Sequence, residues 1–130
     1  MASYIMLVEG SSTDAATVAT VKGAIAPGET VLVLLDSNHS CAHVAAELGA
    51  YAPLVSPGSY IVACDGIMAA MTGAPRTAPD WTWNNPITAV DEFLARSPTF
   101  VLEEPAFAFN EGVVRNRVTY WPKSFLRRRT

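Results

Sequence analysis

From the N-terminus to Asp65, the aliphatic residues alternate between short unbroken runs and stripes spaced three or four apart. An unbroken run suits a strand covered on both faces, whereas a stripe suits one face of a helix. SYIMLVEG, ended by Glu9 and Gly10, predicts a first strand. STDAATVATVKGAIAPGE predicts a helix with Ser12 or Thr13 as its cap, Val18, Val21 and Ile25 on its apolar face, and Pro27 and Gly28 as its stop. TVLVLLD predicts a second strand, again buried on both faces. SCAHVAAELGAY predicts a second helix whose stripe is Cys41, Val44, Ala45, Leu48 and Tyr51. Beyond a turn at Pro57 and Gly58, Tyr60 to Cys64 predicts a third strand that ends on Asp65. Strands joined in this way by crossover helices form a parallel α/β sheet.

The pattern then changes. MAAMTGAPRTAPDWTWNNP is rich in proline and small residues and predicts an ordered but irregular loop. PITAVDEFLARSP predicts a helix opened by Pro86 and closed by Pro98, with Val90, Phe93 and Leu94 sharing a face. TFVLEE and GVVRNRVTYWP predict final antiparallel strands joined by the turn-like FNEG, followed by a basic tail. No internal repeat or low-complexity tract interrupts the series. The 130 residues are therefore expected to form a single domain with an α/β sheet, mostly parallel, with antiparallel C-terminal strands and helices on its faces.

Composition narrows the classes of function. Half of the residues are hydrophobic and 16% are charged, which excludes an intrinsically disordered chain. The net charge of −3 gives no basic field for a phosphate backbone, and the one basic cluster, Arg127 to Arg129, lies at the terminus, so nucleic acid is not an expected partner. No apolar run reaches the ~20 residues that span a bilayer, and the N-terminus lacks the features of a secretory leader, so a cytoplasmic location is expected. Cys41 and Cys64 are too few for a disulfide framework or a thiolate cage, and are expected to be reduced packing residues.

In a parallel sheet, ligands bind beyond the carboxyl ends of the strands. Glu9, Asp36 and Asp65 all fall at such ends and are expected to line one rim. Neighbouring carboxylates repel each other, and a divalent cation such as Mg²⁺ relieves that repulsion by taking oxygen ligands. His39, three residues beyond Asp36, is placed to accept a proton from a substrate hydroxyl. The competing interpretation is that these acids are strand-end and helix-cap residues. Glu9 and Ser11 are candidates to border a cofactor, although serines after a strand also serve as caps. Trp81 and Trp83 are candidates to stack on a sugar or aromatic acceptor, or else pin their loop to the body. His39 and His43 are four apart, as in zinc helices, but HSCAH lacks the glutamate of a metalloprotease motif.

VLVLLDSNHSCAHVAAELGAYAPLVSPGSYIVACDGI, followed by NNPITAVDEFL and preceded by LVEGSSTD, resembles the cephalosporin hydroxylase and rhamnosyl O-methyltransferase family. The resemblance runs from about Tyr4 to about Phe100. It implies a Rossmann-like fold, S-adenosylmethionine as methyl donor, and a divalent metal. Asp36 matches the first metal-ligating acid and His39 the general base. At Cys64 and Asp65 the family carries a Glu-Asp pair, so Asp65 alone is retained as an acid, and a neutral thiol is a poor ligand for Mg²⁺. The glycine-rich turn and the ribose-binding acid of such enzymes are absent. The chain thus resembles a C-terminal half, with the strands that would separate YIMLVEG from VLVLLD missing. Those two strands are expected either to pair directly or to be completed by other copies, which makes a homo-oligomer or a complementing chain the expected partner.

Two functions are consistent with these features. One is a metal-assisted O-methyltransferase for a hydroxyl of a sugar or antibiotic-like small molecule, with the isolated chain expected to be impaired. The other is a non-catalytic α/β domain that binds a small ligand or oligomerises.

Overall fold

The computed structural model describes residues 5–104 and 119–130. In chain order these form α1 (Ala15–Ala24), β1 (Val33–Leu35), α2 (Cys41–Tyr51), β2 (Tyr60–Ala63), α3 (Pro86–Arg96), β3 (Phe100–Leu102) and β4 (Phe125–Arg128), with 3₁₀ turns at Ala52–Leu54, Gly66–Ala70 and Pro79–Thr82. The sheet order is β1-β2-β4-β3. β1 runs parallel to β2, with Leu35 opposite Ala63, while β4 is antiparallel to both β2 and β3. The α/β class expected from the sequence is the class observed.

The core lies between one face of this sheet and the helices. Leu35, Ile61, Ala63, Phe100 and Leu126 face Val44, Leu48, Tyr51, Ala89, Val90 and Phe93. Both helices form where the apolar spacing places them. The α2 stripe buries Val44, Leu48 and Tyr51, and α3 starts at Pro86 with Asn85 as its cap, its side chain accepting from the Thr88 N–H. Phe93 and Phe100 meet edge to face at 5.4 Å, which joins α3 to β3.

Several expectations are corrected. Ile5 to Gly10 do not form a strand, and Ile5, Met6 and Leu7 are exposed. An apolar run becomes a strand only when it joins a ladder with another backbone. This run joins none among the described residues, so the direct pairing with β1 is not made. β1 is shorter than TVLVLLD and is not covered on both faces, because Leu32 and Leu34 are exposed. The residue preceding α1 is Asp14 rather than Ser12 or Thr13, and its side chain makes no capping bond.

The largest correction concerns the basic tail. Phe125–Arg128 is a central strand, not a tail: Leu126 is fully buried, Arg127 pairs with Glu103 at 3.0 Å, and Arg128 donates to the carbonyls of Pro53 and Val55. Most of GVVRNRVTYWP, with its FNEG turn, lies outside the described residues, and Tyr120 to Pro122 are not strand. Because Leu126 packs at the middle of the sheet, Leu126→Ala should lower unfolding stability by about 2–5 kcal/mol. Urea titration followed by circular dichroism should show a lower midpoint with an unchanged slope.

Candidate metal and acceptor site

The parallel pairing of β1 with β2 sets the site. Since Leu35 stands opposite Ala63, the residues that come after them leave the sheet on the same side, and the Cys64 N–H continues the ladder by donating to the Leu35 carbonyl at 3.0 Å. Asp36 comes after one strand and Asp65 after the other. Asp65 adopts the left-handed conformation, φ 57° and ψ 28°, where the chain leaves β2 for the next turn. This conformation is uncommon for any residue with a side chain, although Asp and Asn tolerate it best. Gly66 makes the next close approach: a Cβ there would meet the Pro122 carbonyl oxygen at 2.5 Å.

His39 reaches the same place from the loop before α2. Asn38 accepts from the Ser40 N–H at 2.9 Å, and Asn84 accepts from the Cys41 N–H at 2.9 Å, so a carboxamide from a distant loop caps α2. Asn84 is itself oriented by donating to Asp80 at 2.7 Å, while its neighbour Asn85 caps α3. Thus NNP secures two helix starts at once. His39 Nε2 then lies 3.2 Å from Asp65 Oδ2 and 4.0 Å from Asp36 Oδ1. One ligand atom from each of Asp36, His39 and Asp65 falls within 4.8 Å of the others. Two carboxylates and an imidazole at this spacing suit a divalent cation with oxygen and nitrogen ligands.

Cys64 stands just behind this cluster, buried and free. Its thiol is pushed up to about 11, first by burial and then by the negative charges of Asp36 and Asp65. At neutral pH it is therefore a protonated thiol, and it is not one of the three clustered groups.

A cleft of about 620 Å³ opens beside the cluster, with His39, Asp65, Met68, Trp81, Asn84 and Tyr120 among its lining residues. Of the two candidate tryptophans, Trp81 lines the cleft, whereas Trp83 is exposed and is not part of its lining. Glu9 and Ser11 are both exposed and outside the cleft, and Ser11 makes its side-chain bond to Thr13. Glu9 also lies outside the cluster, which is made of two acids and a histidine.

His43 belongs to a separate polar network. Its Nε2 lies 3.1 Å from Ser12 Oγ, 3.2 Å from Ser37 Oγ and 3.6 Å from Glu47 Oε1. Glu47 is buried and accepts the Ser37 hydroxyl at 2.8 Å. This network, which the residue pattern did not single out, ties the segment before α1 to α2. Its signal was the position of Glu47 on the Val44, Leu48 and Tyr51 stripe, where a carboxylate needs polar partners.

Carboxylates and an imidazole gathered beyond the carboxyl ends of parallel strands, next to a cleft, give the layout of an α/β ligand-binding or catalytic site. Residues 1–129 match the family model described as Rhamnosyl O-methyltransferase/CmcI, and the chain belongs to that family. Comparison with curated proteins and with solved structures gave no match. Among the described residues, no helix is long and apolar enough to cross a membrane.

This geometry makes two outcomes testable. Asn84→Ala removes the α2 cap and should cost about 1 kcal/mol in urea unfolding. Because its raised titration keeps Cys64 protonated, iodoacetamide at pH 8 should leave this residue unmodified in the folded protein and alkylate it in urea, as read by mass spectrometry. The sign for stability is that of a raised group: the contribution is complete below the ordinary thiol value of 9.0 and is lost as pH rises through about 11.

Proposed function

We propose that the chain is a divalent-metal-assisted O-methyltransferase acting on a hydroxyl of a sugar or antibiotic-like small molecule. In this scheme Asp36 and Asp65 hold the cation and His39 removes the hydroxyl proton. The convergence of these three side chains within 4.8 Å carries the proposal, and family membership supports it. When bound, a divalent cation lowers the pKa of a coordinated hydroxyl. His39 is the group that takes the proton, and the Asp65 carboxylate, 3.2 Å from its Nε2, stabilises the imidazolium that results. Trp81 offers a flat apolar wall for a sugar face or an aromatic ring of the acceptor.

Family membership points to S-adenosylmethionine as the methyl donor. The described residues do not form a cradle for it: the sequence has no glycine-rich turn, and Glu9 and Ser11 are exposed outside the cleft. The residues holding the donor are therefore proposed to lie outside the described residues. The same observations, with Cys64 where an acid would strengthen the metal site, favour a second reading, that of a non-catalytic small-ligand domain.

Binding of Mn²⁺, followed by electron paramagnetic resonance without any methyl acceptor, separates the two. The catalytic reading expects saturable binding that Asp65→Asn weakens at least about tenfold, because Asn keeps the left-handed backbone and removes only the charge. His39→Ala should leave Mn²⁺ affinity within about threefold, as expected of a base rather than a ligand. Equal losses from both variants would make His39 a ligand instead, and no Mn²⁺ binding by the wild-type chain would leave the non-catalytic reading.

A further inference from the structure

The outer side of β1 is the unfinished part of the sheet. β1 lies at the end of the strand order and has β2 as its one neighbour among the described residues. The carbonyls of Val31 and Leu35 accept from Ser56 and Cys64 on the β2 side. Strand alternation therefore turns the N–H and C=O groups of Leu32 and Leu34 outward. These two residues are 55% and 59% exposed.

Beside this edge runs a groove of about 490 Å³, lined mainly by apolar side chains including Val21, Ile25, Leu32, Leu34, Tyr51 and Leu54. α1 forms part of one wall and has no fully buried residue, so that helix is covered on one side at most. An open row of backbone groups above an apolar groove is satisfied by a strand rather than by a small molecule, since only a strand brings both main-chain hydrogen bonds and alternating side chains.

The chain carries a segment of that description. Ile5 to Val8 have no regular structure, and Ile5, Met6 and Leu7 are 76%, 58% and 92% exposed. Four aliphatic residues extend over about 13 Å, enough to cover a three-residue strand. Within one copy the segment lies outside the groove, as none of its residues lines it.

We propose that Ile5–Val8 of a second copy adds as a strand to the outer edge of β1 and seats its side chains in this groove. The exchange is reciprocal about a twofold axis, so each copy donates one segment and receives another. Asp36 also lines part of the groove, but strand addition uses the backbone edge and the leucines, and it does not depend on the catalytic reading.

Light scattering of the whole chain across a wide concentration range tests it. The expected mass at high concentration is twice the 13.9 kDa of one chain. Leu7→Asp should return the mass to that of one chain without changing the circular dichroism spectrum, because Leu7 is 92% exposed within a single copy. Leu34→Lys should do the same from the groove side. Mixing the two variants should restore dimers, since one segment and one groove remain native and the altered pair brings Asp against Lys. A wild-type chain that stays at one chain mass, a dimer indifferent to Leu7→Asp, or a mixture of variants that stays monomeric would each overturn the proposal.

Discussion

The parallel ladder between β1 and β2 is the constraint on which the site depends. It is short, but its register, Leu35 opposite Ala63, fixes where both strands end. Because the strands run the same way, Asp36 and Asp65 emerge on one side, and a shift by one residue would send the side chains of one strand to the opposite face. The Cys64 N–H bonded to the Leu35 carbonyl holds that register to the last residue before the site.

A pair of strands this short is not stable alone. β2 is held from its other side by β4, whose Leu126 completes the core while Arg127 and Arg128 reach Glu103 and the backbone after α2. The end of the chain therefore supports the strand that presents Asp65. α2 and α3 cover this sheet, and Asn84 and Asn85 link their starts, which sets the loop carrying His39 against the loop carrying Trp81. The acid–histidine cluster and the cleft share His39 and Asp65, and the pair of asparagines holds the loops around them. The arrangement also has a weak side, since among the described residues β1 lacks the outer neighbour that β2 has, and Leu32 and Leu34 are exposed there.

The helices and the central strands were legible because their signals are local. Val44, Leu48 and Tyr51 on α2, and Val90 and Phe93 on α3, are buried as their spacing requires. The acids of the cluster were legible for a related reason: a solid aliphatic run that stops on an acid places that acid at a strand end. Trp81 and Trp83 were not separable, because two residues of the same type in an irregular loop have no period to distinguish them, and only the fold put Trp81 in the cleft. Glu9 stands outside the cluster of Asp36, His39 and Asp65, and its apolar run is a strand only in the company of another strand.

By itself, the sequence determined the features set by period and by local chemistry: an α/β chain, two packed helices, a parallel pair ending on Asp36 and Asp65, and a histidine one turn away. The tertiary structure alone decided which runs find partners. Phe125–Arg128 became a strand because β2 and β3 stand on either side of it to take its hydrogen bonds, while Ile5–Val8, more apolar, joins no ladder among the described residues. Strand pairing is a long-range bond between distant residues, so no local window of sequence carries it.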